Sequence, residues 1–563
     1  GNQHSFKQSN HWIAPSAAAG LAVIVGAAAA ARYTYASPRL SLCGTKVSEW
    51  TDSLSHYILT KHRSLVVVTF GLPLSFLWDV MLHARTVYVH ALQSAPTQHR
   101  QKVAEIVEQI RARPPNTPMC TSRPGWMSIS LSFRDYKQRW QAIRMHHLID
   151  VLNVNVQHQT VHVEPFVTIG QLTKILLPMG YTLPVVPEMD DLTVGGLVNG
   201  TGIESSSHKF GLFHEMCLEY ELCLGNGQVV VARADNEYSD LFHAIPWSYG
   251  TLALLLSAKL RMIPCKSHVK LTYTPHANRA SYLQHFAKLC QEDSPMFVEG
   301  LVYSQETAVI MSGELVNARD VVASQRNGIG WWWKPWFYKH VESMLSSSSS
   351  SSSSLESKTE YIPLREYYHR HSQSLFWEME LMIPIGNHVL FRWLLGWLMP
   401  PKVSFLKITQ TEWTRAMVER THVAQDFLIP LAELREFLEI CHEEYDGIYP
   451  LWLCPHSHQC MPGSILRDPP NGKPVMYVDV GVYGLPTCVR QEREEEFDMR
   501  KSTRTVLQKL QLLGGFQMLY GDVYSTRDEF EQMYDHVEYR KLREKYGATT
   551  SFKEVYDKMN VCL

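Results

Sequence analysis

The fold of this chain is decided by one stretch, Asp190-Asp-Leu-Thr-Val-Gly-Gly-Leu-Val-Asn-Gly-Thr-Gly-Ile-Glu-Ser-Ser-Ser-His-Lys-Phe-Gly211. It holds five glycines and a run of hydroxyl residues between two apolar segments. Glycine lets the backbone turn and approach a ligand without a Cβ in the way, and consecutive backbone N–H groups can bind an anion. The stretch lacks the ending of a P-loop and the spacing of a Rossmann turn. A glycine-rich surface loop is the alternative interpretation.

Length and composition predict a folded protein of two or more domains. The chain has 563 residues, of which 45% are hydrophobic and 19% charged. A net charge of −2 gives no drive toward nucleic acid, so no nucleic-acid partner is expected. The 11 cysteines are scattered, and their spacing matches neither a zinc site nor a redox pair. We therefore predict no metal site and a reducing, cytosol-facing environment for most of the chain.

Two apolar segments near the N-terminus predict attachment to a membrane. Trp12 to Ala31 is a run of 20 uncharged residues, long enough to span a bilayer, although its Ala and Gly content also fits a signal or transit segment. Ser64 to Trp78 is a second uncharged run, with a buried helix as the alternative. We assign 1–60 to the first segment and a linker, and 61–90 to the second. Lys and Arg flank both segments, so their orientation stays open.

The next part changes from helical to mixed α+β patterning. Residues 98–113 are amphipathic and end at two prolines, which predicts a helical stalk within 91–117. Alternating residues over 152–156 and 160–163 predict a β-hairpin. Thr168 to Gln171 forms a capping box before a helix that Gly180 ends. The nine serines Ser346 to Ser354 predict a flexible insertion whose role stays open.

The order of these sequence signals from Cys120 to Pro264 is typical of one protein family. That order resembles the FAD-binding domain of the vanillyl-alcohol oxidase, or PCMH, type. Further segments resemble the sterol Δ24-reductase family, which includes the plant Diminuto/Dwarf1 proteins. They are Glu188 to Phe213, Lys334 to His340, Tyr361 to His371, Gly396 to Ser404, Tyr449 to Pro455 and Gly515 to Tyr520.

The resemblance implies an α+β protein built around a two-lobed FAD-binding PCMH-type domain over 118–266. It implies an α+β cap or substrate domain over 267–490, which contains the serine insertion 346–354. A C-terminal helical part, 491–563, is expected to pack back on the flavin domain. An N-terminal membrane-anchoring segment completes the predicted architecture.

The implied cofactors are FAD and NADPH. Family oxidases often carry a histidine in the first pyrophosphate loop that bonds covalently to the flavin; the loop around Arg123 and Gly125 has none, so non-covalent FAD is expected. Glycine backbone and hydroxyl side chains would hold its phosphates. The predicted cofactor-binding residues are Arg123, Gly125, Thr193, Val194, Gly195, Gly196, Leu197, Val198, Asn199, Gly200, Thr201, Gly202, Ile203, Glu204 and Ser205.

The implied reaction is NADPH-driven reduction of the Δ24 double bond of a sterol, as in the conversion of desmosterol to cholesterol. An isolated alkene has no carbonyl to polarise, so an acid must protonate C24 and leave the charge on tertiary C25, which then takes hydride. The candidate catalytic residues are Tyr368, His369, His371 and Glu378, with Glu299 behind them. If Tyr368 to His371 form a strand, their side chains should alternate between two faces.

The family also implies where the protein works and with what. We expect an endoplasmic reticulum membrane protein of sterol biosynthesis, with its catalytic part facing the cytosol. Sterol, membrane lipid and other sterol-biosynthesis enzymes are the expected partners. Two alternatives stay open: a flavin-dependent alcohol or lactone oxidase of the same fold, and a non-catalytic sterol-binding scaffold.

Overall fold

The computed structural model describes residues 57–59, 61–92, 95–123, 136–291, 294–346, 356–493 and 496–561. The apolar segment Trp12 to Ala31, Gly125 and the serines after Ser346 lie outside the described residues. Ser346 itself ends the helix Phe337–Ser346.

The predicted FAD-binding domain, which we call the flavin lobe, is built on a five-stranded antiparallel sheet of order β3-β4-β8-β6-β7. It also has two smaller strand pairs, β1-β2 and β5-β9. Its strands are β1 (Met119–Thr121), β2 (Gln141–Ile143), β3 (Val151–Asn155), β4 (Thr160–Val163), β5 (Tyr181–Thr182), β6 (Cys217–Cys223), β7 (Val229–Ala232), β8 (Leu254–Arg261) and β9 (Ile263–Pro264). The predicted hairpin is confirmed as β3-β4. Its helices are Ala95–Arg111, Tyr136–Arg139, Ile169–Leu176, Val194–Asn199, Ser207–Phe210 and Ser239–Ala244.

The predicted capping box is also confirmed. The backbone N–H of Gln171 donates to Thr168 Oγ1 at 3.2 Å, and the backbone N–H of Thr168 donates to Gln171 Oε1 at 2.8 Å. The chain leaves this helical segment at Gly180, whose φ of +80° is a left-handed conformation suited to glycine.

The helix predicted as a stalk, Ala95–Arg111, is part of the flavin lobe, and this corrects the prediction. Its apolar residues Ile106 and Ile110 pack in one core with Leu254 and Leu256 of β8. Its buried Lys102 Nζ lies 2.7 Å from Asp150 and 2.8 Å from Glu164. The amphipathic pattern therefore covers a sheet instead of forming a free connection.

The cap is organised around an eight-stranded antiparallel sheet of order β13-β10-β12-β11-β15-β16-β14-β17. Its strands are β10 (His268–His276), β11 (Phe297–Val302), β12 (Ala308–Val316), β13 (Lys358–Pro363), β14 (Val423–Pro430), β15 (Leu451–His458), β16 (Val475–Gly484) and β17 (Phe516–Gln517). Its helices are Arg279–Leu289, Phe337–Ser346, Leu364–Tyr368, Glu378–Met382, Val389–Leu395, Val403–Ile408, Glu412–Thr421, Leu434–Glu444, Thr487–Arg490 and Met499–Leu512.

The predicted C-terminal part divides between the two units. Helix Met499–Leu512 and strand β17 belong to the cap, because β17 pairs with β14 and the helix packs beside it. The helices after them are Arg527–Met533, Val537–Lys545 and Val555–Met559. Arg543 Nη1 of the second donates to Thr251 O at 2.7 Å, which ties it to the flavin lobe. The contact with the flavin lobe is therefore made by this last portion of the predicted C-terminal part.

The second apolar segment forms a nearly continuous helix from Arg63 to Leu92, with a π-helical turn at Val67–Gly71. Among the described residues it is the one helix long and apolar enough to cross a membrane. Most of its surface faces outward: Val66, Val67 and Leu72 are buried, whereas Leu74, Leu77 and Val80 are exposed.

Candidate active site

A cavity of about 600 Å³ lies between the glycine-rich stretch and the cap. Its wall on the flavin side is rich in glycine and threonine, with Arg123, Leu197 and Ile203 among them, and its wall on the cap side is mainly apolar and aromatic. The flavin side contributes Arg123, Thr193, Gly196, Leu197, Gly200, Thr201, Gly202 and Ile203. The cap side includes Leu375, Phe376, Glu378, Leu406, Gln425, Asp426, Trp452, Tyr483 and Tyr520. One space therefore joins the predicted cofactor cradle to an apolar pocket.

The glycines of the stretch serve different purposes. Residues Val194–Asn199 form a short helix. A Cβ on Gly195 would stand 2.7 Å from the Pro165 Cβ, and the Gly195 N–H donates to Pro165 O at 2.7 Å. Gly195 is therefore needed for packing. A Cβ on Gly196 would meet only Thr193 Oγ1, at 3.2 Å, so this backbone is open to the cavity.

Six of the predicted cofactor residues point elsewhere. Val194 and Val198 are buried in the core, and Asn199 Nδ2 donates to Gly195 O at 2.9 Å. Ser205 contacts the cap, since its carbonyl accepts from Val298 N at 2.8 Å. The residues outside the cavity lining are Val194, Gly195, Val198, Asn199, Glu204 and Ser205. Within Val194–Asn199 the helix explains this division, because only one side of a helix faces the cavity. Glu204 and Ser205 follow the helix and contact the cap instead.

Glu204 belongs to a fully buried ion cluster that joins the glycine-rich stretch to the cap. Arg370 Nη2 lies 2.7 Å from Glu204 Oε1 and 2.7 Å from Glu299 Oε2. The Arg370 Nη1 also donates to Tyr367 O at 3.0 Å. All three charged side chains are almost completely inaccessible to solvent. The cluster fixes the position of the stretch relative to strand β11, which carries Glu299.

The flavin side of the cavity fits a bound FAD. Thr201 Oγ1 is buried and has no hydrogen-bond partner among the described residues. Burial lowers the pKa of Arg123 to about 10, which leaves its guanidinium charged at neutral pH for an anionic phosphate. Open backbone at Gly196, an unpaired hydroxyl and a cation are the donor types that a pyrophosphate needs.

Of the four candidate catalytic residues, only Glu378 lines the cavity. Its Oε2 accepts from His422 Nε2 at 2.7 Å, and its buried Oε1 has no hydrogen-bond partner among the described residues. The structure places Tyr368, His369 and His371 outside the cavity lining.

These three side chains are held by local structural contacts. Tyr368 OH accepts from Thr182 Oγ1 at 3.0 Å, and His369 pairs with Thr173 Oγ1 at 2.9 Å. His371 stacks on Phe376 with ring centroids 4.5 Å apart. The alternating strand is wrong, because Leu364–Tyr368 is a helix followed by turns. Tyr and His in an aromatic-rich segment signal burial as readily as catalysis.

We expect Tyr368→Phe to leave turnover unchanged. The loss of one buried hydrogen bond to Thr182 should lower the free energy of unfolding by about 1 kcal/mol. Steady-state rates and thermal unfolding of the same preparation measure both effects. A fall in turnover at full FAD content would return Tyr368 to the catalytic candidates.

Sequence reasoning missed three buried carboxyl groups, of which Glu188 and Asp426 line the cavity and Asp479 lies behind it. Burial raises the pKa of Asp426 to about 7, against hydrogen bonds from Tyr483 and Tyr520 that lower it. Burial and the nearby Glu204 raise the pKa of Glu188 to about 8.

Asp479 is more isolated than the other two. Burial, with Asp426 and Glu188 nearby, raises its pKa well above the usual range, and neither carboxyl oxygen has a hydrogen-bond partner among the described residues. A signal was present in the sequence: Asp479 is the one carboxylate in the mainly apolar strand β16, and Asp426 stands directly before the apolar run Phe427 to Ile429 of β14.

Comparison with known proteins agrees with this arrangement. A family model described as FAD binding domain matches residues 98–233. The Delta(24)-sterol reductase of Homo sapiens is 44% identical over 506 residues, which cover 89% of this chain and 94% of that protein. The chain belongs to the Delta(24)-sterol reductase family. The Delta(24)-sterol reductase of Arabidopsis thaliana is 38% identical over 534 residues, covering 90% of this chain and 92% of that protein.

Membership of the Delta(24)-sterol reductase family makes the chain an FAD-dependent oxidoreductase. A homolog in Caenorhabditis elegans is 40% identical over 531 residues, 91% of this chain and 97% of that protein. The match to the FAD binding domain starts at residue 98, inside helix Ala95–Arg111, which agrees with the packing of that helix on the lobe.

Proposed function

We propose that this chain reduces the Δ24 double bond of a sterol side chain, with bound FAD as cofactor and NADPH as reductant. The observation that carries the proposal is a single cavity with an open glycine backbone on one wall and a buried, protonatable carboxyl group, Asp426, on the other. An apolar wall suits a sterol side chain, and a desmosterol-like molecule has the required alkene.

A bound FAD that has first taken up two electrons from NADPH would supply the hydride for the substrate. Arg123, Thr201 and the open backbone at Gly196 would hold it, while the apolar cap residues exclude water and orient the alkene. The remaining need is one proton at C24, which leaves the positive charge on tertiary C25. A protein acid must deliver that proton, because the alkene has no polar atom.

Asp426 is the group that we assign as this acid. Its carboxyl is almost fully buried, so its neutral form is favoured up to about pH 7. Tyr483 OH donates a hydrogen bond to Asp426 Oδ1, and Tyr520 also hydrogen bonds to this carboxyl, so two phenols orient the group beside the cavity. Glu378 also lines the cavity, but it forms an ion pair with His422. Burial lowers the pKa of His422, but the nearby Glu378 carboxylate raises it by more, so the net shift of the pKa is upward.

Thr201→Val is expected to weaken FAD binding by about tenfold. The unpaired Thr201 hydroxyl would lose its hydrogen bond to the cofactor, while the isosteric side chain keeps the packing. Titration of the apoprotein by flavin fluorescence measures the dissociation constant. The control is Ser248→Ala, whose hydroxyl donates to Ile245 O within the lobe and should leave FAD affinity unchanged. Equal affinity of Thr201→Val and the parent chain would remove Thr201 from the site.

The function is tested by incubating the purified chain with FAD, NADPH and several Δ24 sterols, followed by mass analysis of the products. The expected result is a gain of two hydrogens on the side chain, with anaerobic bleaching of the flavin by NADPH. Absence of bleaching together with oxygen consumption on an alcohol would favour the oxidase. Retained FAD without any product would favour the scaffold.

The cytosolic side of the endoplasmic reticulum membrane is the location that we propose. The nine cysteines among the described residues are all free, which suits a reducing compartment. The apolar helix Arg63–Leu92 supplies a surface for membrane attachment.

A further inference from the structure

Two segments of the chain expose large apolar side chains side by side. Helix Arg63–Leu92 and the cap segment Val389–Leu398 meet where the Phe76 ring lies 5.5 Å from Trp397. Trp393 stacks on Trp333 with centroids 5.8 Å apart. We call this surface the apolar face, and its exposed members are Leu65, Leu74, Phe76, Leu77, Val80, Met81, Val87, Tyr88, Trp331, Trp332, Val389, Leu390, Trp393, Leu394 and Trp397.

The helix on this face is attached to the body of the protein near both ends. At its start, Arg63 Nη2 donates to Leu406 O at 2.9 Å and Ser64 Oγ donates to Met382 O at 2.7 Å, both in the cap. Near its end, Arg85 Nη1 lies 2.9 Å from Asp150 Oδ1 of the flavin lobe.

The length of the helix makes these two attachments informative. The 27 residues from Arg63 to Val89 extend for about 40 Å at 1.5 Å per residue. A helix that crossed a hydrocarbon core of about 30 Å would carry one end away from the body. This helix instead contacts the body near both of its ends, and its exposed Phe76 contacts the exposed Trp397 of the cap segment.

We propose that the apolar face is a membrane-binding surface on which helix Arg63–Leu92 lies in the plane of the bilayer interface, with Val389–Leu398 inserted beside it. The partner is the bilayer itself. Tryptophans are favoured at the boundary of head groups and acyl chains, and an exposed apolar helix buries its side chains there. Asp79, an exposed charge on the helix, forms an ion pair with Lys402 at 2.8 Å, and Lys402 also pairs with Asp191.

Part of the cavity wall lies next to the start of helix Arg63–Leu92, since Arg63 itself lines the cavity. Leu381 also lines the cavity and is 42% exposed, and the neighbouring Met382 accepts the hydrogen bond from Ser64. Leu406, whose carbonyl accepts from Arg63, is a further lining residue. On the basis of the proposed function, we infer that an opening beside Leu381 lets a sterol pass from the bilayer to the cavity without crossing water.

Cysteines introduced one at a time test the orientation of the helix in a chain whose Cys43, Cys265, Cys460 and Cys562 have been replaced by serine. His62→Cys and His83→Cys are reconstituted into phosphatidylcholine vesicles and treated with a membrane-impermeant maleimide. Both should react to the same extent before detergent is added, because both ends lie on one side. If one of them reacts only after detergent, the helix crosses the bilayer and the proposal is overturned.

Leu394→Cys tests insertion of the cap segment, and Val537→Cys is its matched control. Both parent side chains are highly exposed, at 70% and 61%, but Val537 lies on a helix of the flavin lobe. In vesicles we expect Leu394→Cys to react at least about tenfold more slowly than in detergent, whereas Val537→Cys should be unaffected.

Two outcomes of this second test would overturn the proposal. Equal reactivity of Leu394→Cys in vesicles and detergent would mean that the cap segment stays in water. Protection of the residue without vesicles, together with a larger molecular mass in solution, would mean that the apolar face binds a second copy. Neither labelling test depends on turnover, so both can be carried out on a preparation that retains FAD but is inactive. Failure of the proposed function and failure of membrane docking are therefore observed separately.

Discussion

Asp426→Asn is expected to lower the rate of Δ24 reduction by about 10²–10⁴-fold, the usual contribution of a positioned acid. The amide keeps the shape of the carboxyl and still accepts the hydrogen bond from Tyr483, but it has no proton to give to C24. Product formation is measured by mass, and anaerobic flavin bleaching by NADPH is measured beside it. Bleaching should continue at the parental rate, because it precedes the proton transfer.

The pH dependence of turnover gives a second measurement. Because burial raises the pKa of Asp426 to about 7, the protonated acid is lost above that pH, and the parental rate should fall about tenfold per unit. The raised pKa also makes the free energy of unfolding depend on pH. The contribution of this carboxyl is fully present below its pKa in the unfolded chain, about 4, and is lost as the pH rises through about 7. Asp426→Asn should therefore unfold at the same or a higher temperature than the parent at pH 8.

A stable Asp426→Asn chain that keeps full turnover would refute the assignment. Glu188→Gln is the next variant to measure, because Glu188 lines the same cavity and its pKa is raised to about 8. Glu378→Gln serves as the comparison from the sequence-based candidates. The decrease in turnover caused by Glu378→Gln should be small if the role of Glu378 is to anchor His422.

Arg370→Leu is expected to lower the free energy of unfolding by about 3–5 kcal/mol. Removal of the guanidinium leaves Glu204 and Glu299 buried without their shared cation. Because this cluster joins the glycine-rich stretch to the cap, the variant should also bind FAD poorly. Thermal unfolding and flavin content measure the two effects.

Arg233→Leu is the matched control for that variant. Arg233 lies 3.4 Å from Glu219 but is half exposed, and exposed pairs contribute about 0–1 kcal/mol. Arg370→Lys should keep part of the stability, since a cation remains but cannot form the forked contacts. If Arg370→Leu unfolded at the same temperature as Arg233→Leu, the cluster would not hold the two units together.

Local patterns were sufficient for much of the flavin lobe. The hairpin β3-β4 and the capping box at Thr168 depend on residues close in the chain, and both were predicted from spacing alone. The helix Ala95–Arg111 was also predicted, but its place was not. Amphipathic spacing shows that one side must be covered and says nothing about what covers it.

The wall of the cavity formed by the cap shows the opposite case, because its residues come together only in the folded chain. Asp426 and Tyr520 come from segments nearly one hundred residues apart, and Glu188 is far from both in sequence. The dense cluster Tyr368 to His371 predicts a catalytic role from its residue types. In the structure, Tyr368, His369 and His371 instead contact Thr182, Thr173 and Phe376 in that order. A pKa depends on burial and neighbours, which only the folded chain supplies.

By itself, the sequence determined the class of fold and the family and predicted where a cofactor would bind, because the glycine-rich stretch and its flanks carry their signal within about 25 consecutive residues. The tertiary structure decided which residues of that stretch line the cavity, which carboxyl groups are buried beside it, and that helix Arg63–Leu92 is attached near both ends. The physical reason is the separation along the chain of the residues that determine each property. Backbone conformation and spacing are local properties, whereas burial, charge pairing and the outer face of a helix are set by contacts between distant parts of the chain.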